Sequence, residues 1–391
     1  MLIRRQAAKE LRQLAHQYPV VVVVGPRQSG KTTLCKATFP KLPYLSLEDP
    51  DQRRFATDDP RGLLEQYSEG ALLDEVQRAP ELLSYLQGVV DADPRPGRFV
   101  LTGSQQLDVM AGVTQTLAGR AATLQLLPFS LAELQGAKLA PGSAEELLHR
   151  GLYPPIYDRD LDPRRWYGNY VQTYVERDVR QLINVRDLSS FQVFLRLCAG
   201  RSGQLLNASS LASDAGITHN TARAWLSALE ASFIVRLVRP HFANFGKRLV
   251  KTPKLYFLDP GLAAWLLEIS DPSQISSHPL RGALFETWVF TELLKGRTNR
   301  GLSPNLYFWR DRHGLELDFV MDRGQELVLI EAKSGRTIPA DAWRPLLAVR
   351  DLADGAATSG WLVHGGDQQQ RRRGFTALPW QRIERLTRAN A

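Results

Sequence analysis

The stretch Val20-Val-Val-Val-Val-Gly25-Pro-Arg-Gln-Ser-Gly30-Lys31-Thr32-Thr33 constrains this chain more than any other. An uncharged run of β-branched residues reads as a strand buried on both faces. The residues after it fit G-x-x-x-x-G-K-[ST], the spacing of a phosphate-binding loop. Gly25 and Gly30 let the backbone between them (Pro26, Arg27, Gln28 and Ser29) curl so that its N–H groups point inward at a triphosphate. Lys31 adds a point charge at the β- and γ-phosphates, and the Thr32 hydroxyl can hold Mg²⁺. The helix that starts near Lys31 and runs through Thr33 aims its N-terminal dipole at the same anion.

Downstream segments supply the rest of an ATP site. Pro43-Tyr-Leu-Ser-Leu-Glu-Asp reads as a second strand that ends in acids. In Gly70-Ala-Leu-Leu-Asp74-Glu75, an apolar strand ends in two carboxylates, the Walker B pattern. Asp74 is the expected Mg²⁺ ligand, and Glu75 the base that orients and deprotonates the attacking water. Phe99-Val-Leu-Thr102-Gly-Ser104 is another strand with a polar tip. In ATPases with an additional strand, such a segment lies between the loop strand and the Asp-Glu strand, and Thr102 and Ser104 are then candidates to touch the γ-phosphate or the attacking water.

The motifs G-P-R-Q-S-G-K-T, L-L-D-E-V-Q, L-T-G-S-Q, L-A-G-R and L-P-F-S-L-A-E-L follow one another in this order. Together they resemble the prokaryotic AAA-type ATPases that carry a C-terminal region with a nuclease-like core. The resemblance spans nearly the whole chain. It implies an α/β fold with a five-stranded parallel sheet, a nucleotide site at the strand C-termini and Mg²⁺-dependent ATP hydrolysis. It also implies that Arg120 reaches the γ-phosphate of a neighbouring subunit, hence a homo-oligomer such as a hexameric ring.

Beyond that domain (residues 1–136), the reading gives a helical lid or connector over 137–188, a winged helix over 189–270 and a nuclease-like α/β domain over 271–391. In the lid, the aromatic residues of Trp166 to Tyr174 serve either packing or a nucleotide contact, and Arg177 and Asp178 either a sensor or an ion pair. Thr218 is a good N-cap for a second helix of a helix–turn–helix. His219, Asn220 and Arg223 would face a DNA groove from that helix. Lys247, Arg248, Lys251 and Lys254 form a basic tip suited to phosphates.

At the C-terminal end, Glu286 lies in an amphipathic helical pattern, Asp318 in one strand, and Glu331-Ala-Lys333 in the next. This order, E…D…E-x-K, is that of restriction-type PD-(D/E)xK nucleases. The period of two places Glu331 and Lys333 on one strand face. Asp318 and Glu331, with Glu286, would offer hard oxygens to Mg²⁺, and Lys333 would position or deprotonate water.

Composition narrows the setting. A net charge of +8 favours polyanionic partners, and two cysteines provide neither a disulfide framework nor a zinc site. No run approaches the roughly 18 apolar residues of a membrane span. Arg4-Arg5 is followed by an amphipathic segment and not by the apolar core of a signal peptide, so a cytoplasmic protein is expected. The reading favours an ATP-driven DNA-remodelling motor with a nuclease-like gripping domain. An ATP-dependent nuclease and a nucleotide-state switch for protein partners stand as alternatives.

Overall fold

The computed structural model describes residues 2–104, 116–176, 187–241, 251–353 and 357–388. Arg177, Asp178, Lys247 and Arg248 lie outside the described residues. The chain divides into two compact units. One comprises Met1–Phe129, Ala231–Phe233 and Arg297–Leu302; the other Ser130–Glu230, Ile234–Gly296 and Ser303–Ala391.

The first unit is built on strands β1 (Val20–Val24), β2 (Tyr44–Ser46), β3 (Ala71–Asp74), β4 (Phe99–Gly103) and β5 (Ala121–Gln125). They form one parallel sheet in the order β2-β3-β4-β1-β5. Strand β4 therefore lies between the loop strand and the Asp-Glu strand, as the motif order implies. The valines of β1 are all buried, because a central parallel strand is covered on both faces. Ala7, Leu11 and Ala15 of the helix Ala7–Ala15 join Val21, Val23 and Leu34 in one core cluster. The strand C-termini all open on one edge, where the loop Gly25–Gly30 and the carboxylates of Asp74 and Glu75 meet.

Among the described residues, the second unit contains two sheets. Strands β6 (Gln204–Leu205), β7 (Val235–Val238) and β8 (Lys254–Phe257) are antiparallel in the order β6-β8-β7. The helices Ala208–Asp214 and His219–Ala231 come between β6 and β7. Gly216 at φ 67° makes the sharp turn between these helices, and the Thr218 hydroxyl accepts a hydrogen bond from Thr221 N at 3.1 Å.

The larger sheet holds β9 (Leu306–Arg310), β10 (Glu316–Asp322), β11 (Glu326–Lys333), β12 (Ala357–His364), β13 (Gln370–Arg372) and β14 (Phe375–Pro379), in the order β13-β14-β12-β11-β10-β9. Its core gathers Trp309, Leu317, Leu329, Trp343, Leu346, Leu362 and Phe375. Trp166 stacks on Tyr170 and Tyr153 is tilted against both, all with centroids 4.9 Å apart, so these aromatics pack on one another.

The helix Arg281–Thr298 corrects the sequence reading. It is not amphipathic: Phe285, Trp288, Val289, Phe290 and Leu293 are buried, and so are Glu292 and Lys295. The two charges share the interior because Lys295 Nζ lies 3.0 Å from Glu292 Oε1. Among the described residues, no helix is long and apolar enough to cross a membrane.

Candidate functional site

The loop after β1 is shaped for close approach. A Cβ on Gly25 would lie 2.0 Å from the carbonyl oxygen of Leu126, so only glycine fits there. Gly30, at φ 90°, turns the chain into the helix Lys31–Thr38. Lys31 is buried, and its Nζ donates to the carbonyls of Gly25 and Pro26, each at 3.0 Å. Burial lowers its pKa, and the carboxylates of Glu75 and Asp74 offset this only in part. Pro26, Arg27 and Ser29 are buried, Gln28 is half-buried and Thr33 faces solvent. The Ser29 hydroxyl is buried without a hydrogen-bond partner among the described residues. A loop with a curled backbone, an inward ammonium and an orphaned hydroxyl fits a phosphate chain.

At the end of β3, Asp74 collects hydroxyls. Its Oδ1 accepts from Thr32 Oγ1 at 2.8 Å and from Thr102 Oγ1, and its Oδ2 accepts from Tyr44 at 2.9 Å. Hard oxygens of this kind, from Thr32 and Asp74, suit Mg²⁺. Glu75 follows at φ 59°, a left-handed conformation that a non-glycine residue holds only when its surroundings impose it. Its Oε2 accepts from Ser104 Oγ at 2.5 Å and from Gln77, and Arg27 lies 4.0 Å away. Burial pushes the Glu75 carboxyl up, but Lys31, Ser104, Arg27 and Gln77 together hold it below the ordinary glutamate value. It is a carboxylate at neutral pH and can accept a proton.

Three residues of this site escaped the sequence reading. Tyr44 meets Asp74 because β2 is the neighbour of β3, and its exposed position on a short strand carried no chemical signal. Gln77 follows the Asp-Glu pair closely enough to be considered. Arg5 donates to the Ser29 carbonyl at 2.7 Å and to the Leu127 carbonyl at 2.6 Å, which braces the phosphate loop from the N-terminal segment. Arg120 is one-third exposed and is held by both carboxylate oxygens of Asp91, one at 2.9 Å.

In the second unit, the helix Arg281–Thr298 and strands β8, β10 and β11 bring charged groups together. Lys254 Nζ lies 3.0 Å from Glu286 Oε1 and 2.5 Å from Glu316 Oε1. Tyr256 donates to Glu286 Oε1 at 2.5 Å. Asp318 Oδ2 accepts from Ala332 N at 2.8 Å, and Lys333 Nζ lies 2.6 Å from Glu331 Oε1. Burial pushes the Glu286 carboxyl up to about 7, helped by the charge of Asp318 and opposed by Lys254 and Tyr256. Burial and Asp318 also push Glu331 well above the usual range. Thus Glu286, Asp318, Glu331 and Lys333 lie in one cluster, together with Glu316, Lys254 and Tyr256, which sequence reasoning did not place there.

Lys254 is a correction. It was expected on an exposed basic tip, but it is only 1% exposed and engaged by two carboxylates, so it is not placed to meet a phosphate. His219, Asn220, Arg223 and Lys251 are exposed.

Comparison with known proteins places these observations. Family models match an AAA domain over residues 17–135 and two domains of unknown function, DUF8612 over 142–273 and DUF4143 over 281–383. The chain is 35% identical over 329 residues to the uncharacterized proteins Rv2008c of Mycobacterium tuberculosis and Mb2031c of Mycobacterium bovis, covering 82% of this chain and 72% of each relative. The solved structure of the Walker-type ATPase PABY2304 of Pyrococcus abyssi aligns with a TM-score of 0.45 at 17% identity, over 68% of this chain and 96% of that one.

Proposed function

This chain belongs to the same family as mycobacterial Rv2008c and Mb2031c and is a P-loop ATPase of the AAA type, and we propose that it couples Mg²⁺-dependent ATP hydrolysis to work on DNA. In this reading the loop N–H groups and Lys31 bind the phosphates of the substrate ATP. Thr32 and Asp74 would hold Mg²⁺, which offsets charge on the phosphates. Glu75 accepts the proton of the attacking water, and Thr102 and Ser104 border that water. Ser104, Gln77 and Arg27 all lie against one oxygen of Glu75, Oε2, and hold the carboxylate in place beside the phosphate loop.

The observation that carries the DNA reading is the helix His219–Ala231. It is capped by Thr218, exposes His219, Asn220 and Arg223, and is followed by antiparallel strands, which supports reading this segment as a winged helix. ATP turnover measured with single-stranded, duplex and branched DNA tests it: DNA is expected to stimulate turnover, and indifference to every form would refute it. Binding should weaken with salt, and the double variant Arg223→Ala/Lys251→Ala should flatten the slope of log K against log[salt] by about 2. An unchanged slope would make this helix a structural element.

We propose further that the working state is a homo-oligomer, a ring in which Arg120 leaves Asp91 and reaches a neighbour's γ-phosphate. Mixing Arg120→Ala subunits with Lys31→Ala subunits is then expected to restore part of the turnover that each lacks alone. No recovery in mixtures would assign Arg120 to its own subunit.

A further inference from the structure

The carboxylate cluster of the second unit has the residue order of a metal-dependent nuclease, yet its geometry does not fit a metal ion. Among the described residues, no three carboxylate, histidine or cysteine groups are disposed to hold one. The space between Glu286 and Glu316 is taken by the Lys254 ammonium, which lies within hydrogen-bond distance of both. Strand alternation explains how it gets there: Lys254 and Tyr256 point the same way from β8, and both bond Glu286 Oε1. Aromatic rings of Phe308 and Tyr256 lie 5.5 and 6.0 Å from the ammonium. A buried lysine is tolerated only when its charge is matched, and here the match is complete enough to keep it almost wholly out of solvent. At the other end of the cluster, Lys333 has turned onto Glu331, whose second oxygen is buried without a hydrogen-bond partner among the described residues.

We propose that Lys254 is the resident cation of this cluster, an ammonium in the place of a divalent metal. The cluster then fastens the three-stranded sheet to the six-stranded sheet through β8 and does not cleave nucleic acid. This inference does not depend on whether the chain acts on DNA. Four acids (Glu286, Glu316, Asp318 and Glu331) face Lys254 and Lys333, and Arg310 takes the outer oxygen of Glu316 at 2.6 Å. Removing one ammonium leaves carboxylates that repel each other and that a divalent ion would bring together.

The test is Mn²⁺ binding to the full chain without nucleotide, followed by electron paramagnetic resonance. Wild type is expected to show no Mn²⁺ site that Asp318→Asn removes. Lys254→Met, an uncharged side chain of similar length, is expected to gain an Asp318-dependent Mn²⁺ site at least about 10-fold tighter than any residual Mn²⁺ binding by wild type, because a unit positive charge has left the site. Adding Asp318→Asn to Lys254→Met should abolish that gain. An Mn²⁺ site in wild type that depends on Asp318, or metal-dependent DNA cutting by wild type that Asp318→Ala abolishes, would overturn the proposal. So would a folded Lys254→Met variant with no gain in Mn²⁺ affinity. If Lys254→Met is too unstable to titrate, the double variant Lys254→Met/Glu286→Gln, which removes one charge of each sign, is read by its melting temperature. Recovery toward wild type supports the lysine as counter-charge, and no recovery overturns it.

Discussion

Replacing Glu75 by Gln is expected to slow ATP hydrolysis by roughly 10²–10⁴-fold, the range for loss of a general base, while ATP affinity stays close to wild type. The substitution keeps the shape of the side chain, so Ser104 can still donate to its oxygen in the resting arrangement. Asp74, with Thr32, Thr102 and Tyr44 on its oxygens, is untouched and keeps the expected Mg²⁺ position. What disappears is a carboxylate that the neighbouring cations keep ionised. Single-turnover hydrolysis alongside equilibrium nucleotide binding separates the two effects. Equal turnover in wild type and variant would remove Glu75 from the base role.

Lys31→Ala is expected to act on binding. The Lys31 ammonium rests on two loop carbonyls, an arrangement that a phosphate oxygen can take over without moving the helix. A hydrogen bond to a charged group contributes about 1.5–3 kcal/mol, so ATP affinity should fall roughly 10- to 150-fold. The variant also leaves the carbonyls of Gly25 and Pro26 without this donor, which loosens the loop even without nucleotide. Titration with a fluorescent ATP analogue measures the loss. Undiminished affinity would mean that the backbone N–H groups alone hold the phosphates.

The nucleotide site was legible because its chemistry is local. Gly25 through Thr33 is one continuous segment, and Asp74-Glu75 and Thr102 end strands whose apolar character already marks them as central. Local spacing could not show which distant groups meet. Tyr44 touches Asp74 only because β2 pairs with β3. Lys254 stands near other basic residues in sequence, which favoured a solvated tip. Its burial was decided by Glu286, 32 positions away, and by Glu316, further still. The helix Arg281–Thr298 read as amphipathic, whereas in the fold its Glu292 and Lys295 pair with each other in the interior. For Lys254, a charge was read as a sign of water when its partners came from other elements.

The place of β1 in its sheet bears on how the chain is made. Val20–Val24 pairs with Phe99–Gly103 on one side and Ala121–Gln125 on the other, so neither edge of the strand is covered until residues far along the chain have left the ribosome. Until then a five-valine, uncharged segment is an unprotected template for pairing with other chains. Pro19 before it and Pro26 after it lack the N–H donor that would continue such pairing, and they bracket the segment as gatekeepers. Non-local pairing of this kind is slow to form. The strand that leads into the phosphate loop is therefore also the segment of the nascent chain most in need of its later partners.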